Sequence, residues 1–193
     1  MTFLHRRLLA SFPAGALLLS ILPSASAGVA PGLDVRSMNA RSGHGTSSHV
    51  RMGRNGNFGL VCNEGISSGT RRAVHMIDVP ATHVLVDVAI HGEDVAISHD
   101  LHFRLRRTCQ PYLVGGVPDT STIAEGTTSG ADGFYTVVLS SDGSVPSNNL
   151  CAYFLESRFA DDNAACASAE LDMTSIRIRM LDPDVIFRDG FEP

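Results

Sequence analysis

The sequence contains no Trp and no Lys, and its three Tyr residues are Tyr112, Tyr135 and Tyr153. Carbohydrate sites that depend on stacking use broad aromatic faces, so this scarcity disfavours such a site. Hydrophobic residues make up 44% of the 193 residues and charged residues 18%, which excludes both a disordered chain and a membrane-embedded bundle. The length suits one domain with tails.

Long hydrophobic runs are also lacking, apart from one near the N-terminus. That region has a basic start, an uncharged stretch of 15 residues and a small-x-small motif, which are Arg6-Arg7, residues 8–22 and Ala25-Ser26-Ala27. The uncharged stretch is shorter than the ~20 residues that cross a bilayer as a helix. Residues 1–27 are therefore predicted to be a signal peptide, cleaved between Ala27 and Gly28. The protein is expected to be secreted or periplasmic, without membrane association after cleavage.

The charge balance of the mature chain is acidic. Cleavage would leave 13 Arg and 20 acidic residues, a net charge of −7. A chain of this sign is a poor candidate for binding nucleic acid. Residues 28–110 carry a net charge of +2 and residues 111–193 a net charge of −9. The expected partner is a protein or a small-molecule ligand, whose identity the sequence does not give.

The four Cys residues are Cys62, Cys109, Cys151 and Cys166, separated by 47, 42 and 15 residues. Zinc sites usually contain C-x2-C pairs, which are missing here. An even number of Cys residues in an exported protein predicts two disulfides, for which three connectivities are possible. We favour Cys151–Cys166, because the Ala/Asp stretch between them could fold back, together with Cys62–Cys109, because both residues lie at strand ends.

Apolar and polar residues alternate from Phe58 onward, which is the pattern of half-buried antiparallel strands. Seven segments show strand character, and they are centred on residues 58–62, 74–76, 84–90, 101–105, 134–139, 151–155 and 176–180. Because turn residues separate these segments, they predict an all-β fold, an antiparallel β-sandwich or jelly roll. The residues expected to be buried include Val86, Val88, Phe103 and Leu105, and those expected to face solvent include Asp87 and Arg104.

Composition divides the rest of the chain into three parts. Residues 28–56 are rich in Gly, Ser and Arg and are expected to be flexible, although Leu33-Asp34-Val35 could add a short edge strand. Residues 57–182 form the β-sandwich domain, and residues 183–193 form a short C-terminal tail. Two stretches of the domain lack the alternation. Residues 115–133 are predicted to be a surface loop, and residues 161–171 a helical turn or two.

Candidate metal ligands lie on both sides of one predicted loop. His91, Glu93 and Asp94 stand at its start, and His99 and Asp100 stand at its end, so the two groups could converge. Imidazole and carboxylate ligands together suit a transition metal, and the carboxylates alone suit calcium. A solvated turn is the alternative interpretation. No cofactor is expected besides this possible metal.

One segment matches a catalytic motif. Gly65-Ile66-Ser67-Ser68-Gly69 fits the G-x-S-x-G pattern of α/β hydrolases, in which Asp and His follow the Ser. The βαβ alternation of that fold is missing, so a Gly/Ser hairpin loop is the preferred interpretation. We therefore assign no catalytic residue.

Arginines form a second candidate cluster. Arg104 and Arg106 lie two residues apart, so they point to the same side of a strand. Arg107 follows them, and Arg71 and Arg72 lie elsewhere in the sequence. Together they could form a small anion-binding patch, although a solvated outer face is the simpler interpretation.

Two short resemblances concern the C-terminus and the centre of the domain. The end of the chain, Ile186-Phe187-Arg188-Asp189-Gly190-Phe191-Glu192, resembles the Ile-Phe-x-Asp-Gly-Phe-Glu tail of many secreted proteins of Gram-negative bacteria, which implies bacterial export. The alternating segments at residues 84–91 and 100–105 are similar to the strand–turn–strand heart of the P domain of proprotein-convertase-type proteins. That domain is a β jelly roll, so the similarity implies the same class of fold.

An exported all-β domain with two disulfides is expected to be a non-catalytic binding or structural module of unknown ligand. Two alternatives stay open. One is a secreted hydrolase whose site is not local in the sequence, and the other is a metal-binding module that uses the loop at residues 91–100. Polar side chains that converge in a pocket would favour the enzyme, and a face without them would favour the module.

Overall fold

The described strands form two antiparallel sheets. The computed structural model describes residues 32–45, 50–52, 60–62, 71–97, 99–110, 116–129, 133–143, 151–160, 171–182 and 184. The strands in this part of the chain are β1 Leu33–Asn39, β2 His44–Gly45, β3 Val50–Met52, β4 Leu60–Cys62, β5 Arg72–Ile77, β6 Val84–Asp94, β7 Leu101–Cys109, β8 Asp119–Thr127, β9 Gly133–Ser140, β10 Cys151–Phe159 and β11 Leu171–Leu181. A 3-10 turn, Ala40–Ser42, lies between β1 and β2.

β6 and β11 lie in the middle of a six-stranded sheet. Five of its strands have the order β3-β4-β11-β6-β9, and the sixth, β1, pairs with β11. β6 takes one edge of β11, and β1 and β4 share the other edge. A five-stranded sheet has the order β2-β5-β10-β7-β8. The two sheets face each other across one core, so the fold is the antiparallel β-sandwich that the alternation predicted.

Apolar side chains from both sheets fill the interior of the sandwich. The buried cluster includes Leu85, Ile90, Leu139, Met173, Ile176, Ile178 and Met180 from the six-stranded sheet and Tyr153, Leu155 and Phe159 from the five-stranded sheet. Val88, Phe103 and Leu105 are 0% exposed, which confirms their predicted burial. The ring of Phe103 meets that of Tyr135 from the opposite sheet, with 5.9 Å between the ring centroids.

Val86 and Asp87 both depart from the prediction, Val86 because of a β-bulge in β6 and Asp87 because it is ion-paired with Arg179. β6 pairs Asp87 with Arg179, and the register then shifts before Leu85, so Val86 is the extra residue. Leu85 and Val88 both reach the core as a result, and Val86 is only half-buried. The prediction that Asp87 faces solvent is wrong, because its residue is 3% exposed and its carboxylate accepts hydrogen bonds from Arg179 Nε at 2.8 and 2.9 Å.

The N-terminal segment connects the two sheets. β1 pairs with β11 in one sheet, and β2 pairs with β5 in the other. The turn between β1 and β2 contacts β5. The buried His75 of β5 donates a hydrogen bond from Nε2 to the carbonyl oxygen of Ala40 in this turn, at 2.7 Å. A Cβ at Gly43 would collide with the imidazole ring, so the turn needs glycine there. Residues 33–45 belong to the segment that was expected to be flexible, and the structure places them in β1, the 3-10 turn and β2; the short strand suggested at their start extends to Asn39.

β8 replaces most of the surface loop that was predicted at residues 115–133. It pairs with β7 along the edge of the five-stranded sheet, with a bulge at Ile123. Ile123 and Ala124 of β8 pack against the core but are consecutive because of the bulge, and the other residues are polar or Gly, so β8 lacks the apolar alternation that marks the other strands. The Thr residues of β8 were the available signal, because β-branched side chains favour strands.

One disulfide joins Cys109 and Cys151, which stand opposite each other at the ends of β7 and β10. The Cα–Cα distance is 4.0 Å. Both predicted pairs, Cys62–Cys109 and Cys151–Cys166, are therefore wrong. Sheet order makes β7 and β10 neighbours across 42 residues of chain, which neither the intervals between the Cys residues nor their positions at strand ends reveal. Cys166 and the side chain of Cys62 lie outside the described residues.

Several other predicted features also lie outside the described residues. They are the signal peptide with its cleavage site between Ala27 and Gly28, the G-x-S-x-G segment, the helical turn expected from residue 161, and the tail from residue 185. No helix in the described ranges is long and apolar enough to cross a membrane.

Candidate functional site

A shallow groove of about 270 Å³ crosses the outer face of the five-stranded sheet. Its lining comes from β5, β10, β7 and β8, and the lining residues are Arg72, His102, Phe103, Arg104, Glu125, Gly126, Thr127, Glu156 and Arg158. We call this site, together with the adjoining Arg106, the arginine groove. The groove runs across the strands, so its side chains are positioned by the pairing register.

Strand alternation explains why these charged side chains share one face. On β7, Phe103 and Leu105 fill the core, so His102, Arg104 and Arg106 point outward. Arg104 is exposed, as predicted. On β10, Leu155 is buried in the core. Glu156 and Arg158, which flank Ser157, line the groove.

Three basic side chains form a row across the sheet. Arg158 on β10 stands opposite Arg72 on β5 and opposite His102 on β7. His102 stands opposite Thr127 on β8, which ends the row. Because neighbouring strands are about 4.8 Å apart, the row presents cationic or polar groups at that interval across four strands.

The next row contains the two glutamates of the groove, each held by arginine. Glu125 Oε1 lies 2.9 Å from Arg104 Nε. Glu156 lies between two guanidinium groups, 3.3 Å from Arg72 and 3.2 Å from Arg106. The Glu156 side chain is only 10% exposed, so this carboxylate fixes the positions of both arginines from below.

An aromatic side chain on this face is also engaged by arginine. The Arg106 guanidinium lies over the ring of Phe154, 5.5 Å from its centroid. Among the residues that the structure describes, the arginine groove holds four arginines and His102 against two glutamates. This excess of positive charge contrasts with the formal net charge of −5 of the whole chain.

The structure gathers only some of the arginines that the sequence singled out. Arg72, Arg104 and Arg106 belong to the groove. Arg71 is buried, and Arg107 approaches Asp142 at 3.8 Å, so neither lies in it. Arg158 and His102 were missed as site residues. Their alternation with the buried residues of β10 and β7 was the signal that could have found them.

The candidate metal ligands do not converge. β6 continues through Asp94, so the residues expected in a loop belong to a strand. His91 and Glu93 therefore point to one face and Asp94 to the other. His91 Nδ1 lies 2.9 Å from Thr136 Oγ1, and Asp94 Oδ1 accepts a hydrogen bond from the Ala96 N–H at 3.1 Å.

His99 and Asp100 immediately precede β7, which begins at Leu101. Among the residues that the structure describes, no three His, Cys, Asp or Glu side chains are placed to hold a metal ion. The predicted group of five ligands therefore does not form a site there. The pKa of His91 is lowered by burial and then by the nearby Arg177.

A polar contact at one end of the six-stranded sheet involves Asp172 and Tyr135. Asp172 Oδ1 accepts the Glu93 N–H at 2.9 Å, and the Tyr135 hydroxyl donates to the Asp172 carbonyl at 2.9 Å. Burial raises the pKa of Asp172, and the Glu93 N–H partly opposes this. Burial also raises the pKa of Tyr135, followed by the charges of Asp172 and Asp94. These contacts join β6, β9 and β11.

Neither a protein-family model nor a curated protein matches the chain. Solved structures similar to it include two family 22 carbohydrate-binding modules. One is the C-terminal family 22 carbohydrate-binding module of Clostridium thermocellum Xyn10B, with a TM-score of 0.38, 14% identity, and coverage of 82% of this chain and 91% of that chain. Another is a xylan-binding domain of the same family, with a TM-score of 0.37, 14% identity, and coverage of 81% and 90%.

A family 27 carbohydrate-binding module that recognises mannan is also similar, with a TM-score of 0.36, 8% identity, and coverage of 78% of this chain and 98% of that chain. The ligands in these names belong to those modules.

Proposed function

We propose that the protein is a non-catalytic ligand-binding module and that the arginine groove is its binding site. The observation that carries the proposal is the position of Glu156, which is nearly buried and lies between Arg72 and Arg106. Side chains that are fixed before a ligand arrives lose little conformational entropy on binding. A groove with fixed, charged walls is therefore suited to recognition.

The state of the two groove carboxylates supports binding rather than hydrolysis. A glycoside hydrolase requires one protonated carboxyl group to donate to the leaving oxygen. Glu125 and Glu156 are each ion-paired with arginine, so their oxygens are engaged by the protein instead of being presented to a glycosidic oxygen. Their role in the groove is to position guanidinium groups.

The signal peptide predicted at residues 1–27 supports a role outside the cytoplasm. We propose that the module is exported and that its mature chain begins at Gly28. N-terminal sequencing of protein recovered from the periplasm or the medium tests this part of the proposal. A folded, functional protein that retains Met1 would contradict it.

Affinity electrophoresis tests the assignment of the binding site. The gels contain xylan, mannan, polygalacturonate or dextran sulfate; the first two are included because they appear in the names of the similar modules. Arg104→Gln and Arg158→Gln alter the groove. Arg177→Gln, an exposed arginine on the outer face of the other sheet, is the matched control.

At least one polysaccharide should retard the wild-type protein and Arg177→Gln more strongly than the two groove variants. If no gel retards the wild-type protein, or if all four proteins are retarded equally, the proposed site is wrong. Release of reducing ends by the wild-type protein would instead support the secreted-hydrolase alternative.

A further inference from the structure

We infer that the ligand of the arginine groove is an acidic polysaccharide, laid across the strands with its carboxylates on the row of Arg72, Arg158 and His102. This inference rests on the proposed function, because it names the ligand class of the same site. It goes beyond that function by assigning the groups of the ligand that the row recognises.

The groove already contains a carboxylate-binding arrangement. Glu156 lies between two guanidinium groups at 3.2 and 3.3 Å, and Glu125 lies 2.9 Å from Arg104. Guanidinium groups present planar sets of donors that match a carboxylate, so a ligand carboxylate can bind in the same way. The protein's own glutamates thus indicate the chemistry that the outer row offers to a ligand.

The geometry of the row favours a polymer with repeated charges. Arg72, Arg158 and His102 lie on three adjacent strands, at intervals of about 4.8 Å. An extended chain that crosses the strands would meet these groups in sequence. Thr127 follows in the same row; its hydroxyl donates to the Thr128 carbonyl oxygen at 2.9 Å, so it can accept a hydrogen bond from a sugar hydroxyl.

A sheet face is a poor site for an acidic peptide. Extended peptides usually add to the edge of a sheet, where free backbone groups pair with theirs. Across the face of β5, β10, β7 and β8, the backbone groups pair within the sheet. A peptide backbone N–H would need acceptors there, and Glu125 and Glu156 already bind arginine. Sugar hydroxyls can both donate and accept, so they adapt to this set of side chains.

Neutral sugars are also less well matched to the groove. Binding of an uncharged sugar commonly depends on stacking against an open aromatic face. Phe154 is covered by the Arg106 guanidinium. Binding is therefore expected to depend on charge, with strong sensitivity to salt.

Polygalacturonate and its methyl ester provide the matched probes, because they share a backbone and differ in carboxylate charge. Titration calorimetry measures their affinities for the full-length mature protein at low and high NaCl. Polygalacturonate should bind, and both esterification and high salt should weaken binding. Equal affinity for the esterified polymer, or no effect of salt, would overturn the inference.

Three variants connect the affinity to the groove. Arg158→Gln should weaken polygalacturonate binding by about tenfold, the effect of one charge-assisted hydrogen bond. Glu125→Gln should strengthen it, because Arg104 is then available to the ligand. Arg177→Gln should leave it unchanged. All three sites lie outside the buried core, and equal unfolding midpoints would show that the variants fold.

The outcomes separate this inference from the proposed function. Groove-dependent binding of xylan or mannan without binding of polygalacturonate would overturn the acidic ligand and keep the site. Polygalacturonate binding that neither Arg158→Gln nor Glu125→Gln alters would overturn the site itself. Poly-L-glutamate is the competitor that tests for an acidic peptide. If it displaces polygalacturonate at a carboxylate concentration lower than that of polygalacturonate itself, the groove binds acidic peptides and the inferred polysaccharide ligand is wrong.

Discussion

Removal of the Cys109–Cys151 disulfide should lower stability without changing the fold. The bond closes an interval of 42 residues, and in the chain-entropy model such a loop stabilises the folded state by about 4 kcal/mol. Eight residue pairs connect β7 and β10 besides the Cys109–Cys151 pair, so the strands can stay paired without the bond. The loss is expected to come from the greater freedom of the unfolded chain.

The double variant Cys109→Ala/Cys151→Ala isolates this effect, because it leaves no unpaired thiol from the bond. Urea unfolding followed by circular dichroism gives the free energy, since the chain has no Trp for fluorescence. The native spectrum should be retained, with an unfolding free energy lower by about 4 kcal/mol. An unchanged free energy would refute the loop-entropy reasoning, and loss of the native spectrum would refute the independence of the β7–β10 pairing.

Four more results are expected. Stability should fall as the pH drops below 6.5, the ordinary pKa of histidine. Burial lowers the pKa of His75 in the folded protein, so the unfolded chain takes up a proton at this position first. The urea midpoint of His75→Gln should therefore fall less over this pH range than that of the wild-type protein. Phe103→Ala should cost about 3–5 kcal/mol in urea unfolding, because its side chain is fully buried. Arg179→Gln should lower the urea midpoint, because it leaves the buried Asp87 without this ion pair. Peptide mapping without reduction should find Cys62 linked to Cys166, the pair left by elimination if two disulfides form.

Each of these expectations can fail clearly. Identical pH profiles for the wild-type protein and His75→Gln would show that His75 does not control the acid response. Phe134→Ala, at a residue that is 87% exposed, is the control for the core substitution and should change stability by less than about 0.5 kcal/mol. Arg177→Gln is the control for Arg179→Gln, and equal midpoints would deny a role for the Asp87 ion pair. Free thiols at Cys62 and Cys166 would refute the second disulfide.

Alternation of apolar and polar residues predicted the strands that bury one face. The bulges and the polar edge strand depend on pairing between strands that are distant in sequence. The rows around Val88, Phe103 and Ile176 have apolar residues at every second position, so their class and orientation follow from sequence. The bulge at Val86 depends on pairing with β11, which no local pattern reveals. β8 is polar on an edge, so its strand character had no apolar signature.

The candidate site was only partly visible for a related reason. Arg104 and Arg106 share a face because they lie on one strand, which the sequence shows directly. Arg72 and Arg158 join them only through the order and register of β5, β10 and β7. The predicted metal ligands failed in the opposite way, since residues close in sequence point to opposite faces of β6.

The pairing of the first described strand with the last has a consequence for how the chain folds. Leu33 stands opposite Leu181, so β1 can dock only after β11 has been synthesised. Contacts between residues so far apart in sequence give a high contact order, and all-β proteins of this kind fold in milliseconds to seconds. β7 and β10 can pair, and their disulfide can form, before β11 is available. The five-stranded sheet that carries the groove can therefore begin to assemble early, while closure of the sandwich by the N-terminal segment waits for the end of the domain.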